Sequence, residues 1–295
     1  MSLHPLSGVY AAAVTPVTSG GEPDPVGLHT LLDFLAKRGG HGALLLGTTG
    51  EGTSFSVQER IEICSAAANW RKSRPDFRLF AGTGTPSLSE TRHLNKVAFD
   101  LGYEAVLVLP PFFIRNASED GLFGWYADLL DNVPSGKYLL GYHIPAVSGV
   151  ALPLSLLQRL QAAYPQTFGG LKDSSGNLES AVNYAQGLPG AAVLVGNDKL
   201  LAPGLAVGAS GAITALANLR SPELRAIYDA HFAGRDAASL QAALDPIRAA
   251  MDAMPAAPAY LKALLHAQHG LPNWTVRLPL QDFSQEQVAA ALAAL

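Results

Sequence analysis

The sequence predicts an α/β fold, a (β/α)8 TIM barrel with an appended C-terminal helical region. Three observations carry this. Eight short apolar runs alternate with helix-like segments at a fairly regular spacing, and each run closes in Gly, Pro, Thr or Ser. The runs are apolar throughout, as in Ala43-Leu44-Leu45-Leu46, which is the pattern of parallel strands covered on both faces. Eight strands suit a closed barrel better than an open doubly wound sheet.

In chain order the runs are Val9 to Val14, Ala43 to Leu46, Leu79 to Ala81, Ala105 to Leu109, Tyr138 to Tyr142, Phe168 to Lys172, Ala192 to Val195 and Gly211 to Thr214. Helix starts lie between them. Asp24-Pro25 offers an N-cap followed by a proline at the first helical position. Ser56 to Glu59 and Ser87 to Glu90 fit the capping box, in which a hydroxyl and a carboxylate satisfy two free backbone N–H groups reciprocally. Every run but the last is followed by a clear helical segment. Past about Asn218 the strand signal stops, and helices are expected over 221–232, 237–254 and 258–269, with a last one begun near Ser284. The chain therefore divides into a barrel with the catalytic site, 1–220, and an alanine-rich helical region, 221–295, packed on it or on a neighbouring subunit.

The composition bounds the partners. With 295 residues, 48% hydrophobic and 15% charged, the chain can bury a large core. A net charge of −4 and scattered Lys and Arg give no footprint for nucleic acid, so small molecules are expected instead. One cysteine, Cys64, excludes an internal disulfide and points to a reducing compartment. The N-terminal stretch lacks a basic leader and no run of 18 apolar residues occurs, so a cytoplasmic protein without a membrane span is expected.

In such a barrel the reactive side chains project from the C-terminal ends of the strands. The second run ends in Gly47-Thr48-Thr49-Gly50-Glu51, the fifth in Tyr142-His143-Ile144-Pro145, the sixth in Lys172-Asp173-Ser174-Ser175-Gly176 and the seventh in Gly196-Asn197-Asp198. Lys172 emerges from a buried strand, where desolvation disfavours the ammonium and leaves a neutral amine able to attack a carbonyl carbon. Position alone also fits a lysine that merely snorkels outward. Tyr142 ends the neighbouring strand, near enough to pass protons, or else to cap the barrel as a packed aromatic. Thr48 and Thr49, flanked by Gly47 and Gly50, form either a nest of N–H groups and hydroxyls suited to a carboxylate or an ordinary loop.

Other motifs fail. Gly82-Thr83-Gly84-Thr85-Pro86 lacks the third glycine of a dinucleotide fingerprint, and there is neither a Walker lysine nor a His-Glu-x-x-His. His266 and His269, before Gly270, suit a helix C-terminus better than a metal, having no further ligand near them. No metal or cofactor is expected.

Together, Gly47-Thr48-Thr49-Gly50-Glu51, Tyr142-x-x-Pro145 and Gly170-x-Lys172-Asp173-Ser174-Ser175-Gly176 resemble the dihydrodipicolinate synthase and N-acetylneuraminate lyase family. The likeness spans the chain, including Gly208 to Ile213 and Val276 to Leu280. It implies a class I aldolase or lyase in which Lys172 forms an imine with a 2-oxo acid such as pyruvate. Thr48 and Thr49 would hold its carboxylate, Tyr142 would move protons, and the Ile213 backbone would line the pocket. It also implies a homo-oligomer, dimeric or tetrameric.

The departures concern the second half of the substrate. Synthases of the lysine pathway read Tyr-Asn-Val-Pro-Ser-Arg at the fifth strand, the arginine gripping the second substrate's carboxylate; here the run is Tyr142 to Val147, and Val147 offers no fork. The sialic acid lyases' Asp-Glu pair becomes Asp198-Lys199, and their serine after the eighth strand becomes Ala215. Many members carry a proton-relaying tyrosine where Phe113 stands, so either water or Thr48 takes over that route or the reaction makes a lighter demand on it. The apolar lining of Phe112, Phe113 and Val147 points to a less polar aldehyde partner, and Gly47 and Asp198 are further substrate-binding candidates. The Lys172, Tyr142 and Thr48-Thr49 set on one rim favours a 2-oxo acid derived from a 2-oxo-3-deoxy sugar acid or a similar substrate. Dihydrodipicolinate synthase itself is the alternative. From another class, the missing hydroxyl at Phe113 would fit a barrel that binds a small acid without turning it over.

Overall fold

A computed structural model describes residues 3–254 and 256–294. The apolar runs become β1 (Gly8–Ala12), β2 (Gly42–Leu45), β3 (Arg78–Gly82), β4 (Ala105–Val108), β5 (Tyr138–His143), β6 (Phe168–Asp173), β7 (Ala192–Val195) and β8 (Gly211–Thr214). Each pairs in parallel with the next, and β8 pairs back to β1, so the barrel closes. Between the strands run α1 (Pro25–Lys37), α2 (Val57–Arg71), α3 (Leu88–Asp100), α4 (Glu119–Leu130), the single turn α5 (Pro145–Ser148), α6 (Leu154–Ala163), α7 (Leu178–Gly187) and α8 (Leu201–Ala206). After β8 come α9 (Ala217–Phe232), α10 (Ala237–Asp252), α11 (Ala257–His269) and α12 (Gln285–Ala293). Among the described residues no helix is long and apolar enough to cross a membrane.

Strand ends depart from expectation for local reasons. The first run stops at Ala12 because the Val14 N–H donates to the Asn218 side chain at 3.1 Å instead of to a strand. Leu46 leaves β2 with a φ of 58°, and Leu109 precedes two prolines, which pull the chain out of the ladder. β5 and β6 each run one residue further, to His143 and Asp173, which face each other.

Alternation along the strands divides the core into two layers. Tyr10, Leu44, Phe80, Leu107, Leu140, Leu194 and Ile213 fill the barrel interior, while Val9, Leu45, Leu79, Val106, Leu171 and Val193 face the helices. Helix starts follow the sequence signals. Asp24 caps α1 with Pro25 behind it, and the Ser56–Glu59 box is complete. The box at Ser87 is only half made. Ser87 accepts from Glu90 N–H, but its own N–H donates to the Thr85 hydroxyl at 3.1 Å, so Glu90 has nothing left to satisfy. A further box closes at Ser284 and Gln287.

The expected start of the helical region at 221 falls inside α9. That helix begins at Ala217, kinks at Arg220 ahead of Pro222, and is fixed to β1 by Asn218, whose side-chain amide donates to Ala12 O at 2.8 Å. The last strand thus has its helix too, and the sequence boundary cuts through it.

Candidate active site

Lys172 and Tyr142 come together because of a single extra residue. β5 and β6 are in register as Leu139 to Phe168, then shift, so that Leu140 faces Gly170 and Tyr142 faces Lys172. Without the bulge at Gly169, Tyr142 would face Leu171, and Lys172 would point outward among the helices. Gly170 is required there. Its φ is +116°, and a Cβ would sit 2.1 Å from the Ala192 carbonyl oxygen.

Lys172 Nζ donates to Tyr142 Oη at 3.3 Å and lies 4.5 Å from the ring centroid. Tyr142 Oη is in turn 3.1 Å from Thr48 Oγ1. Amine, phenol and hydroxyl form one connected line, with Lys172 and Tyr142 both buried. Burial pushes the Tyr142 phenol up, but the Lys172 charge and hydrogen bonds from Thr48, Lys172 and Ser174 outweigh it, leaving the phenol below its usual 10.0. A phenol so placed gives up and regains a proton readily.

The turn that presents Thr48 is tightly built. Gly52 N–H donates to Gly47 O and Glu51 N–H to Thr48 O, both at 3.1 Å, and the Thr15 hydroxyl donates to Gly50 O at 2.7 Å. A Cβ on Gly52 would meet Leu46 O at 2.0 Å, so the loop folds onto itself only with glycine there. Leu46 and Glu51 both take left-handed backbone, a cost that concentrates at functional sites. Glu51 is buried, accepting from Lys262 Nζ at 2.6 Å and from Arg277 N–H at 2.8 Å. The C-terminal region thus clamps the loop that carries Thr48 and Thr49.

Tyr142, Thr48 and Gly47 open onto a cavity of about 280 Å³ whose wall also includes Leu46, Thr53, Arg60, Leu109, Phe112, Val147 and Ser148. Lys172 adjoins it through Tyr142. Thr49 is buried beside Thr48 and off this wall. The Ile213 side chain packs inside the barrel in the cluster that holds Tyr142. Two expected pocket residues sit elsewhere. Phe113 is 89% exposed with a φ of 80°, turned away so that Phe112 alone faces the cavity. Asp198 is fully buried and held by Arg248 of α10 at 2.9 Å, so its carboxylate ties the fold together instead of meeting substrate; burial raises it, against the pull of Arg248. Lys199 pairs with Asp252 at 3.0 Å.

Sequence reading missed Arg60 and the Glu51–Lys262 pair. Arg60 follows the Glu59 of a capping box and reads as an exposed helix residue, yet it is 4% exposed on the cavity wall. A second cavity of about 310 Å³, lined by His266, Trp274, Asp282 and Phe283, contains none of the reactive set. His266 Nδ1 is 2.7 Å from Leu271 O, at a helix end closed by left-handed Gly270. Among the described residues no three His, Cys, Asp or Glu side chains are grouped to hold a metal.

The profile of the Dihydrodipicolinate synthetase family matches residues 5–295. The chain belongs to this family. It is 41% identical over 97% of its length to an uncharacterized DapA-like lyase of Chloroflexus aurantiacus, covering 95% of that protein. It is 33% identical to the 4-hydroxy-tetrahydrodipicolinate synthase of Listeria welshimeri, covering 96% of this chain and 95% of that one. Among solved structures, the synthase of Methylacidiphilum fumariolicum SolV superposes with a TM-score of 0.88 at 28% identity, over 98% and 95% of the two chains. That of Acinetobacter baumannii, complexed with pyruvate, superposes at 0.89 and 26%, over 98% of both. Members of the Dihydrodipicolinate synthetase family are class I Schiff-base lyases, and this chain is an enzyme of that type. Membership overturns the non-catalytic binding barrel: the hydroxyl absent at Phe113 is not a mark of lost catalysis.

Proposed function

We propose that this chain is a pyruvate-type aldolase in which Lys172 forms the imine, acting on a 2-oxo-3-deoxy sugar acid or a similar 2-oxo acid. The observation that carries the reading is the Lys172–Tyr142–Thr48 line at the mouth of the barrel. The Lys172 amine attacks C2 of the 2-oxo acid. One proton from the attacking nitrogen and one from Tyr142 pass to the former carbonyl oxygen, which leaves as water, and the protonated imine remains. The Tyr142 phenolate takes the proton of the C4 hydroxyl as the C3–C4 bond breaks, the electron pair entering the imine to give an enamine and a free aldehyde. Return of that proton to C3 and addition of water to the imine release pyruvate and regenerate the amine.

Thr48 Oγ1, 3.1 Å from the phenol, supplies the next step of the proton route that Phe113 lacks. The carboxylate of the 2-oxo acid is assigned to the Thr48–Thr49 turn, where Thr48 lines the cavity and Thr49 lies buried beside it. A pyruvate complex of the Acinetobacter relative supports pyruvate as the ketone half. The exposed apolar side chains of Phe113 and Ile114 support a homo-oligomer in which they are covered.

The second reading is 4-hydroxy-tetrahydrodipicolinate synthase, favoured by the names of several relatives. Val147, where the synthases carry arginine, weighs against it.

Borohydride reduction in the presence of pyruvate tests the imine. A reduced pyruvate unit on the peptide containing Lys172 is expected, and its absence from native protein would sink the assignment. Pyruvate release from a panel of 2-oxo-3-deoxy acids, set against condensation with aspartate semialdehyde, then separates the two readings.

A further inference from the structure

Arg60 combines three properties seldom found together. Its side chain is almost wholly buried, its Nε has no hydrogen-bond partner, and no carboxylate of the described residues pairs with it. Burial pulls the guanidinium below its usual range, opposed only by Cys64 and Glu90. A buried charge left unpaired is among the costliest features a fold can carry, and buried arginines are ordinarily neutralised by a carboxylate. Arg60 also stands on the wall of the cavity onto which Tyr142 and Thr48 open, with Thr53 and Ser148 on the same wall. Val147, where synthases of the family carry their carboxylate-gripping arginine, lines that cavity too.

We propose that Arg60 binds an oxyanion at the end of the substrate remote from the imine, so that the 2-oxo acid this enzyme cleaves or forms is dianionic, with a second carboxylate or a phosphate. The cation has moved from the β5 loop to α2, and the substrate's second charge supplies the partner that the protein withholds. A planar fork suits either oxyanion bidentately. The inference rests on the Lys172 reading above, because it takes the cavity to be the place of the substrate's second half.

The test compares kcat/KM for pyruvate release from three 4-hydroxy-2-oxo acids of equal length, ending in a carboxylate, a phosphate or a neutral hydroxymethyl group. In the native chain an anionic substrate is expected to win by about tenfold to a hundredfold, the range of a charged hydrogen-bonded contact; which anion wins identifies the source. In Arg60→Met that preference should collapse to within about threefold, with part of it kept in Arg60→Lys. Arg60→Met should melt at or above the native temperature, since it removes an unpaired buried charge. Should Arg60→Met fail to fold, Arg60→Gln carries the same comparison.

A native enzyme indifferent to the distal charge would overturn the proposal, as would a preference that survives loss of Arg60. So would a preference abolished by replacing Arg115, the exposed cation beside Gly149, and not Arg60. A free dicarboxylate should compete with substrate; inhibition that depends on Arg60 but is noncompetitive would mark a separate effector site and overturn the substrate assignment. Borohydride trapping of pyruvate on Lys172 is run beside these assays. Its failure would remove the imine reading and this inference together, whereas trapping without charge preference removes this inference alone.

Discussion

Lys262 of α11 donates to Glu51 at 2.6 Å, and both side chains are only 1% exposed. The pair joins the C-terminal helices to the loop that carries Thr48 and Thr49, more than two hundred residues away in sequence. Burial draws the Lys262 ammonium down, and Glu51 pulls it back up. Removing one partner strands the other charge. Lys262→Met is therefore expected to cost about 3–5 kcal/mol, a fall in Tm on the order of 10 °C, and to raise KM for pyruvate through the loosened loop. Glu51→Gln combined with Lys262→Met should recover part of the lost stability, because no orphan charge remains. Calorimetry of the two variants checks this, and a double variant that melts below Lys262→Met would contradict it.

The alkaline limb of the kcat profile should belong to Tyr142. Its phenol lies below 10.0 because the Lys172 charge and neighbouring hydrogen bonds favour the phenolate more than burial disfavours it. Thr48→Val removes one of those hydrogen bonds. The phenolate loses a stabilising contact, its pKa rises, and the limb should move to higher pH while kcat falls by roughly tenfold to a thousandfold. A limb that stays in place would remove Thr48 from the proton route.

The barrel was legible in the sequence because its signal is local: apolar runs mark buried strands. Lys172, Tyr142 and Thr48 stood out as a set only through the joint family motifs, since the position of each at a strand end left a bland alternative open. What sequence could not show depends on register and on distant partners. Gly169-Gly170 reads as a flexible pair, yet it holds the bulge that turns Lys172 inward. Arg60 reads as solvent-facing because its helix carries Glu59 and Glu62 beside it, and only the packing of α2 against the strand ends buries it. Asp198 sits at a strand end like the others, but Arg248 lies fifty residues downstream and captures it. Phe113 follows two prolines and a phenylalanine with nothing to reveal that its backbone turns left-handed and carries the ring outward.

Acid should weaken the fold through His41. Its Nδ1 accepts from Val9 N–H at 3.0 Å, which requires the neutral ring. Burial first, then Arg225 and Arg78, lower its pKa from 6.5 to about 4, with Asp229 opposing. The folded state binds fewer protons than the unfolded chain between these values. The stability is therefore present above pH 6.5 and lost as pH falls toward 4. Because the ring is partly exposed, solvent screening reduces the effect. His41→Asn, whose amide oxygen replaces Nδ1 as acceptor, should flatten the slope of Tm against pH across that window. An unchanged slope would assign acid sensitivity elsewhere.

Val147→Arg asks whether the synthase activity is absent for want of one fork. Val147 is 64% exposed on α5 and lines the cavity, so an arginine fits without displacing the core. Its guanidinium would reach the space where a second substrate's carboxylate lies, and a charged hydrogen bond there contributes about 1.5–3 kcal/mol. Condensation of pyruvate with aspartate semialdehyde should accordingly rise by roughly tenfold to a hundredfold in kcat/KM. The change should appear in KM for the semialdehyde and leave imine formation with pyruvate as it was, because Lys172 lies off the cavity wall that carries Val147. If Arg60 already fills the anion role, the gain shrinks toward nothing in the native background and appears in full once Arg60→Met is combined with Val147→Arg. Steady-state kinetics on the single and double variants read that dependence directly, and equal gains in both backgrounds would show that the two positions serve different groups.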